Sequence, residues 1–246
     1  MVKKIALNDN FINLKVAHRG LHSDKVSENS LNAYSLAVEK GFAIEIDIHL
    51  LKDGELAVVH DSNLKRLTGF DVVVEDLNST DLSKYPLLID GQDIPLFKDV
   101  LKLVNGKSPL LIELKVPNKF DHRLVDIMLE QLNDYPYTDK VACQSFNPFA
   151  VKYTKEKTDK YSVGFLCSYK LENQSKFRTY ILKSLKLYKY MHADFISYDI
   201  NYLPNKYVDK KRKKGVQVLT WTINTYEKLE KAKTCADNII FEKIDV

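Results

Sequence analysis

The sequence predicts an α/β fold, a single-domain (β/α)8 TIM barrel with a short inserted segment after the second strand. Two observations favour this fold. Apolar segments rich in β-branched residues recur eight times at intervals of a few tens of residues, and stretches with helical periodicity lie between them. Strands that alternate with helices are typical of a parallel sheet covered by helices. Eight repeats in 246 residues favour a closed barrel over an open sheet.

The predicted elements follow from this periodicity. The strands are residues 14–18, 43–50, 109–115, 141–146, 162–167, 194–199, 216–223 and 238–241. The clearest helices are residues 30–40, 121–132 and 226–233, with Asn29 as the candidate cap of the first. No break in composition indicates a second domain, so one domain is predicted over residues 1–246.

Residues 51–95 depart from the simple alternation. Lys52-Asp53-Gly54 is a turn signal, an apolar alternation follows in residues 55–60, and the remainder is longer and irregular. We interpret the segment as an elaborated loop between the second strand and the second helix. Lying over the barrel mouth, it is where we expect substrate contacts.

Composition narrows the class of partner and the compartment. The net charge of +4, from 37 basic and 33 acidic residues, does not single out nucleic acid. No apolar run approaches the roughly 18 residues of a transmembrane helix. The N-terminus becomes polar at Asn8-Asp9-Asn10, too early for a signal peptide. We therefore expect a cytoplasmic protein, and the oligomeric state stays open.

The cysteines, three in number, are widely spaced and include no Cys-x-x-Cys pair. This pattern argues against a disulfide framework or a structural zinc site. Each lies in or beside an apolar run, which indicates buried thiols.

Chemistry-bearing residues fall into five short clusters. They are His18-Arg19, Glu28-Asn29, Glu45-Ile46-Asp47, His60-Asp61 and Glu113-Leu114-Lys115. Because residues i and i+2 of a strand share a face, the charges of the third and fifth clusters point together out of apolar strands. Such charges are costly unless something binds there. Functional groups of a barrel gather at the carboxyl ends of its strands, so the clusters predict one site.

The three carboxylates Glu45, Asp47 and Glu113 would repel one another in a partly buried site unless a cation neutralised them. Oxygen ligands without cysteine favour one divalent cation, Mg²⁺, Ca²⁺ or Mn²⁺, over zinc. Either charged pair alone could instead face water on a one-sided sheet. The two pairs together, beside two histidine clusters, favour a metal site.

The remaining candidates suit chemistry on an anion. His18 and His60 titrate near neutral pH and could act as general acid and base, one protonated and one neutral at pH 7. Arg19 and Lys115 could bind phosphate oxygens. Trp221, near the end of the seventh strand, is either core or an apolar wall for the carbon part of a substrate. The other histidines, His22, His49, His122 and His192, are interpreted as structural, although His49 continues the face of Glu45 and Asp47.

The ordered set of motifs resembles the glycerophosphodiester phosphodiesterases from about residue 14 to the last residue. The motifs are His18-Arg19-Gly20, Glu28-Asn29-Ser30, Glu45-Ile46-Asp47-Ile48, Lys52-Asp53-Gly54, His60-Asp61, Thr68-Gly69, Ile94-Pro95, Glu113-Leu114-Lys115, Ser145-Phe146 and Trp221-Thr222-Ile223-Asn224. Singly they are weak signals, but the ordered set is highly specific.

The resemblance implies a barrel with one divalent metal on Glu45, Asp47 and Glu113. It also implies His18 and His60 as acid and base, and Arg19 and Lys115 as phosphate clamps. In the family, a hydroxyl of the glycerol attacks phosphorus and expels the alcohol, and water opens the resulting cyclic phosphate. The substrate would be a glycerophosphodiester, and the products sn-glycerol 3-phosphate and an alcohol such as choline or ethanolamine. Glu28 and Asn29 are expected to support the site, by orienting a histidine, contacting substrate or capping the first helix.

Two departures from the family pattern bear on the substrate range. Residues 96–99 read Leu-Phe-Lys-Asp where the family usually has Thr-Leu-Glu-Glu, and residues 239–243 read Ile-Ile-Phe-Glu-Lys where it usually has a Thr-Asp pair. Neither departure is expected to affect the metal or histidine positions. The eighth helix should be absent or minimal.

Two alternatives stay open. A lysophospholipase D on the same barrel would need an acyl-binding surface, for which the apolar residues 72–74 and 87–89 are candidates. A non-catalytic binding module could use the basic run of residues 210–214 to contact anionic lipid or nucleic acid. The same run could be a solvated helix face.

Overall fold

The computed structural model describes residues 2–117, 119–168 and 184–246. Its strands are β1 (Val16–Ala17), β2 (Ala43–Leu50), β3 (Leu56–Val58), β4 (Leu110–Leu114), β5 (Val141–Ser145), β6 (Ser162–Cys167), β7 (Phe195–Asp199), β8 (Val218–Ile223) and β9 (Asn238–Phe241). All except β3 pair in parallel, and β1 pairs with both β2 and β9, which closes the sheet. The predicted eight-stranded barrel is confirmed.

Helices surround the barrel in the described parts of the chain. They are α1 (Asn10–Asn13), α2 (Leu31–Glu39), α3 (Lys65–Thr68), α4 (Phe97–Val104), α5 (Arg123–Asn133), α6 (Pro148–Lys157), α7 (Tyr188–Met191), α8 (Lys206–Arg212) and α9 (Tyr226–Cys235). Short 3-10 turns lie at Val74–Asp76, Ser79–Lys84, Thr138–Lys140 and Ile200–Tyr202. Residues 242–246, which follow β9, form no helix.

The predicted cap of α2 is wrong by one residue. Ser30 is the N-cap, and its side chain accepts a hydrogen bond from the Ala33 backbone N–H. Asn29 has a φ of 52° and uses its side chain elsewhere.

The interior of the barrel is apolar at its lower end and polar at its upper end. Ala43 shares a face with Glu45 and Asp47 on β2, and Leu111 shares a face with Glu113 on β4. The lower residues form one buried cluster: Leu7, Phe11, Val16, Ala43, Leu111, Ala142, Phe195, Leu219 and Ile240. Leu7 belongs to the N-terminal segment, which exchanges two hydrogen bonds with the Gln217 side chain. This packing closes the amino ends of the strands and leaves the carboxyl ends for the site.

The segment inserted after β2 is more regular than the sequence indicates. Strand β3 pairs antiparallel with β2, and α3 and two 3-10 turns follow. The segment has its own apolar core: Leu51, Ala57, Val59, Leu64, Leu67, Val74, Leu82, Leu87 and Ile94. That core holds His60 and Arg66 in defined positions beside the barrel mouth.

All three cysteines are free and buried. Burial raises the pKa of the Cys143 thiol to about 12 and that of Cys167 well above its usual value, so both thiols are protonated at neutral pH. Among the described residues, we find no helix with the length and hydrophobicity to cross a membrane. The cytoplasmic location stays a prediction.

Candidate active site

A narrow cavity of about 80 Å³ opens at the carboxyl ends of the barrel strands. Its lining residues are His18, Arg19, Glu45, His60, Glu113, Lys115, Gln144, Phe146, Leu166, Trp221, Thr222 and Ile240. The structure thus brings together residues from four of the five clusters identified in the sequence. The fifth, Glu28-Asn29, lies behind this lining and contacts it.

The three predicted metal ligands are buried together. Ligand atoms of Glu45, Asp47 and Glu113 all lie within 4.8 Å of one another. Burial and the neighbouring Asp47 charge raise the pKa of Glu45 well above its usual value, and burial also raises that of Glu113. Burial acts against ionisation of Asp47 too, but Lys115 and Arg19 hold its pKa far below the usual range. The cluster therefore carries less negative charge than three free carboxylates would.

These carboxylates fit a hard divalent cation. Every candidate ligand atom is a carboxylate oxygen. Asp47 Oδ1 is buried and accepts no hydrogen bond from the described residues; Lys115 Nζ lies 3.1 Å from it and 2.6 Å from Glu113 Oε1. A cation would relieve the crowding of negative charge that raises the pKa of Glu45. The donor set thus suits Mg²⁺, Ca²⁺ or Mn²⁺.

Asn29 fixes the orientation of Asp47. Its side-chain amide donates to Asp47 Oδ2 at 2.8 Å, and its carbonyl oxygen accepts a hydrogen bond from the Tyr34 hydroxyl at 2.7 Å. All three side chains are buried. Asn29 therefore contacts a candidate metal ligand and neither caps α2 nor bonds a histidine. Tyr34 was not identified from the sequence.

Glu28 joins the first strand to the inserted segment. Its carboxylate accepts one hydrogen bond from Arg19 at 2.6 Å and two from Arg66, at 2.9 and 2.7 Å. Although burial opposes it, these guanidinium groups lower the pKa of Glu28 to about 2. Arg66 Nε also donates to Asp61 Oδ2 at 2.6 Å. Arg66 thereby links Glu28, which binds Arg19, to Asp61, which binds His60. Arg66 was not identified from the sequence.

Arg19 and Gly20 share a left-handed turn that the packing of α2 requires. Their φ angles are 55° and 79°. A Cβ atom at Gly20 would lie 2.8 Å from the Cβ of Ala33 and 2.9 Å from the Tyr34 ring, so only glycine fits. The turn points the Arg19 backbone N–H at Glu45 Oε2, which accepts it at 3.0 Å.

Each predicted catalytic histidine is held through Nδ1 by a carboxylate. His18 Nδ1 lies 2.7 Å from Glu242 Oε2, and His60 Nδ1 lies 2.6 Å from Asp61 Oδ1. Because an ionised carboxylate only accepts, Nδ1 carries the proton in both rings and Nε2 is the nitrogen available to a ligand. Burial lowers the pKa of His18 and brings that of His60 to about 4. Burial therefore favours the neutral form of each ring, and the pairing of one charged with one neutral ring stays a prediction.

Glu242 belongs to residues 239–243, where the sequence departs from the family pattern. We expected this departure to leave the histidine positions unaffected, and that expectation is wrong. Glu242 follows β9 and bonds His18, and it also lies 3.5 Å from His22 Nε2. These histidines hold the pKa of Glu242 far below its usual value. The only available signal was the charged residue standing where the family usually has Thr-Asp.

We expect Glu242→Gln to lower kcat by roughly 10- to 100-fold, the effect typical of a partner that orients a functional group. If His18 acts in the predicted acid–base role, a neutral amide would stabilise its imidazolium form less than the Glu242 carboxylate does. Steady-state kinetics on the purified variant measures this, with Glu242→Asp expected to recover part of the rate. Glu230→Gln, on an exposed glutamate of α9, is the matched control. An unchanged kcat in Glu242→Gln would contradict the role.

Two further polar groups face the cavity without partners. Gln144 Oε1 and Trp221 Nε1 are buried and form no hydrogen bond with the described residues. Gln144 lies beside Glu113 in the sheet register, and Trp221 packs edge-on against Phe146 with ring centroids 5.5 Å apart. Trp221 thus forms part of the cavity wall, and its indole N–H is available as a hydrogen-bond donor. Gln144 was missed, although a glutamine within the apolar run of β5 is an available signal.

The remaining histidines lie outside this cavity's lining. His49 is buried, with Nδ1 2.6 Å from Glu75 Oε1 and Nε2 3.2 Å from the His60 carbonyl oxygen. It therefore ties β2 to the inserted segment behind His60.

Comparison with known proteins identifies the same family as the sequence motifs. The model of the glycerophosphoryl diester phosphodiesterase family matches residues 18–246. A glycerophosphodiester phosphodiesterase of Caldanaerobacter subterraneus subsp. tengcongensis is 28% identical over 236 residues, which are 92% of this chain and 93% of that protein. A mouse lysophospholipase D is 34% identical over 134 residues, 49% of this chain and 42% of that protein. The structure of an Oleispira antarctica phosphodiesterase in complex with its product sn-glycerol-3-phosphate superposes with a TM-score of 0.79 at 21% identity, covering 95% of this chain and 94% of that one.

Proposed function

The chain belongs to the glycerophosphoryl diester phosphodiesterase family, and on that premise we propose that it hydrolyses glycerophosphodiesters to sn-glycerol 3-phosphate and an alcohol. One observation carries the proposal. His18 and His60, each held through Nδ1 by a carboxylate, line one cavity with a buried carboxylate cluster and two cationic side chains. The name of the Caldanaerobacter relative, which matches nearly the whole chain, supports the same activity.

Arg19 and Lys115 bind the phosphodiester in this proposal. Both side chains are only 15% exposed, and each is already positioned by carboxylates, Arg19 by Glu28 and Lys115 by Glu113. Positive charge held in place before the reaction stabilises the charge that develops on phosphoryl oxygens. Trp221 packs against the carbon part of the glycerol.

Glu45, Asp47 and Glu113 would hold one divalent cation, Mg²⁺, Ca²⁺ or Mn²⁺. When bound, such an ion would act as a Lewis acid and offset negative charge on the phosphodiester. Asn29 keeps Asp47 turned towards the cluster. The Arg19 backbone N–H does the same for Glu45.

Proton transfer falls to the two histidines. One neutral ring takes the proton of a glycerol hydroxyl through Nε2 as that oxygen attacks phosphorus. The other ring, protonated when the anionic substrate enters, gives its proton to the departing alcohol oxygen as the P–O bond breaks. In the second half, water attacks the cyclic phosphate, the proton transfers reverse, and sn-glycerol 3-phosphate forms.

A coupled assay for sn-glycerol 3-phosphate tests the proposal. We expect the purified protein to release it from glycerophosphocholine or glycerophosphoethanolamine in equal amount to the alcohol. Release from none of a panel with choline, ethanolamine, glycerol and inositol groups would overturn it.

A lysophospholipase D activity is the second candidate, and an exposed apolar patch on the inserted segment favours it. The patch consists of Phe70, Leu88 and Ile89, which are 48%, 64% and 53% exposed. Asp90, next to it, accepts hydrogen bonds from the Ser27 N–H at 3.1 Å and the Ser27 hydroxyl at 2.5 Å. These bonds tie the patch to the segment that carries Glu28, whose carboxylate contacts Arg19 of the cavity lining.

Comparing glycerophosphocholine with lysophosphatidylcholine decides between the two. We expect faster turnover of glycerophosphocholine, and a Leu88→Ser/Ile89→Ser double variant that leaves this rate unchanged. If the lipid were preferred, and the double variant lowered only its turnover, the patch would be an acyl site and the second activity the main one. Phe149→Ser, at an exposed apolar residue of α6, is the control.

A further inference from the structure

A second cavity, of about 440 Å³, lies near the opposite end of the barrel from the active site. Its lining residues are Lys4, Tyr188, Lys189, His192, Lys211, Lys214 and Val216. His192 precedes β7 and Val216 precedes β8, so the cavity lies near the amino ends of these strands, whereas the active site lies at the carboxyl ends. Among the described residues, none lines both cavities.

The floor of this cavity is a fixed aromatic ring that holds two ammonium groups. Tyr188 is buried, and its hydroxyl donates to the Asp194 carbonyl oxygen at 3.2 Å. Lys211 Nζ lies 4.3 Å from the centre of its ring. Lys4 Nζ lies 5.1 Å from the same centre and 3.4 Å from the hydroxyl oxygen, to which it donates. Two lysines far apart in sequence are thus brought to one place.

The basic run of residues 210–214 divides into two roles. Arg212 turns away from this cavity and is neutralised, because it pairs with Asp237 at 2.8 Å and donates to the Ala236 carbonyl oxygen. Lys211 and Lys214 line the cavity instead. The run is therefore not a uniform solvated face.

The positive charge of the cavity is uncompensated within the described parts of the chain. None of Lys4, Lys189, Lys211 and Lys214 forms an ion pair with a described carboxylate, and no acidic residue is among the lining residues. Burial and the charges of the nearby lysines lower the pKa of Lys211. Like charges held this close are unfavourable unless an anion lies between them.

We propose that this cavity binds a ligand with clustered phosphate groups. Ammonium groups act as point charges that bind phosphate oxygens without demanding one planar geometry. Four of them around a concave surface match an anion with several charges better than a single carboxylate. The proposal is independent of the hydrolytic activity, because the two sites share no residue.

Titration with inorganic pyrophosphate, followed by calorimetry, tests the site. We expect saturable binding that the Lys211→Gln/Lys214→Gln double variant weakens by about tenfold or more. The control is Lys210→Gln/Lys213→Gln, which removes the same charge from the same run outside the cavity and should leave the affinity within about twofold. Melting temperatures and glycerophosphodiester turnover, measured for both variants, should match the unsubstituted protein.

A second arm identifies the source of the phosphate. Vesicles of phosphatidylglycerol and of phosphatidylcholine are sedimented with each protein. Binding to the anionic vesicles that only the Lys211/Lys214 variant loses supports the cavity as a site for lipid headgroups, and pyrophosphate binding without vesicle binding supports it as a site for a free phosphate compound. Absence of both, or equal loss in the two double variants, would overturn the proposal.

Discussion

Replacing either His18 or His60 by alanine should lower kcat by roughly 10²- to 10⁴-fold, with a much smaller change in KM. Each ring has Nδ1 bound to a carboxylate and Nε2 available in the same cavity. No other described side chain is placed to transfer these protons in place of a missing histidine. The nearby carboxylates Glu28, Asp61 and Glu113 are paired with Arg19, Arg66 and Lys115. Steady-state kinetics with glycerophosphocholine measures the loss.

A substrate with a better leaving group separates the two roles. The variant that lacks the general acid should recover much of its rate on a glycerophosphate ester of p-nitrophenol, whose departure needs no proton, whereas the variant that lacks the base should not. His122→Ala is the matched control, because His122 is 63% exposed and is not among the residues that line the cavity. Rates within a few fold of the unsubstituted protein in both variants would refute the acid–base assignment.

Removing divalent cations with a chelator should abolish turnover, and adding back Mg²⁺, Mn²⁺ or Ca²⁺ should restore it with one of them. Asp47→Asn should lower kcat by at least about 10²-fold at any cation concentration. Asp47 is the carboxylate kept ionised by its neighbours, so it supplies the charge that the site can least lose.

The melting temperature tests cation binding at this site independently of turnover. A cation that binds only the folded protein raises its melting temperature in proportion to the logarithm of its concentration. We expect this rise in the unsubstituted protein and not in Asp47→Asn. Asp71→Asn, at a carboxylate 65% exposed, should keep both the rise and the activity. Turnover that ignores the chelator would exclude the metal.

The sequence predicted the barrel because its strands are buried on both faces and read as apolar runs. The predicted bounds match for β2, β6 and β9. The predicted first strand, residues 14–18, is longer than the observed β1, Val16–Ala17. The left-handed turn at Arg19 and Gly20 ends β1 early. Local periodicity also placed Glu45, Asp47 and Glu113 on common faces.

Hydrophobic periodicity could not identify the residues that form hydrogen bonds with the predicted site residues. Glu242 lies 224 positions from His18 in sequence, and Arg66 lies 38 from Glu28. Such contacts depend on how the sheet closes and how the inserted segment folds against it, and neither leaves a periodic pattern. Asn29 was recognised as part of a motif, but its contact with Asp47, 18 positions away, depends on how the segment before α2 packs against β2.

The hydrogen bond between His18 and Glu242 joins the first strand of the barrel to the residue that follows the last one. A chain still emerging from the ribosome lacks that carboxylate until the last strand of the barrel has been synthesised. Until then the Glu242 carboxylate cannot hold His18 Nδ1, even when the carboxylates of β2 and β4 are already present. If His18 acts as proposed, we expect full activity only after the ring of strands is complete, so the appearance of turnover during synthesis would time that final closure.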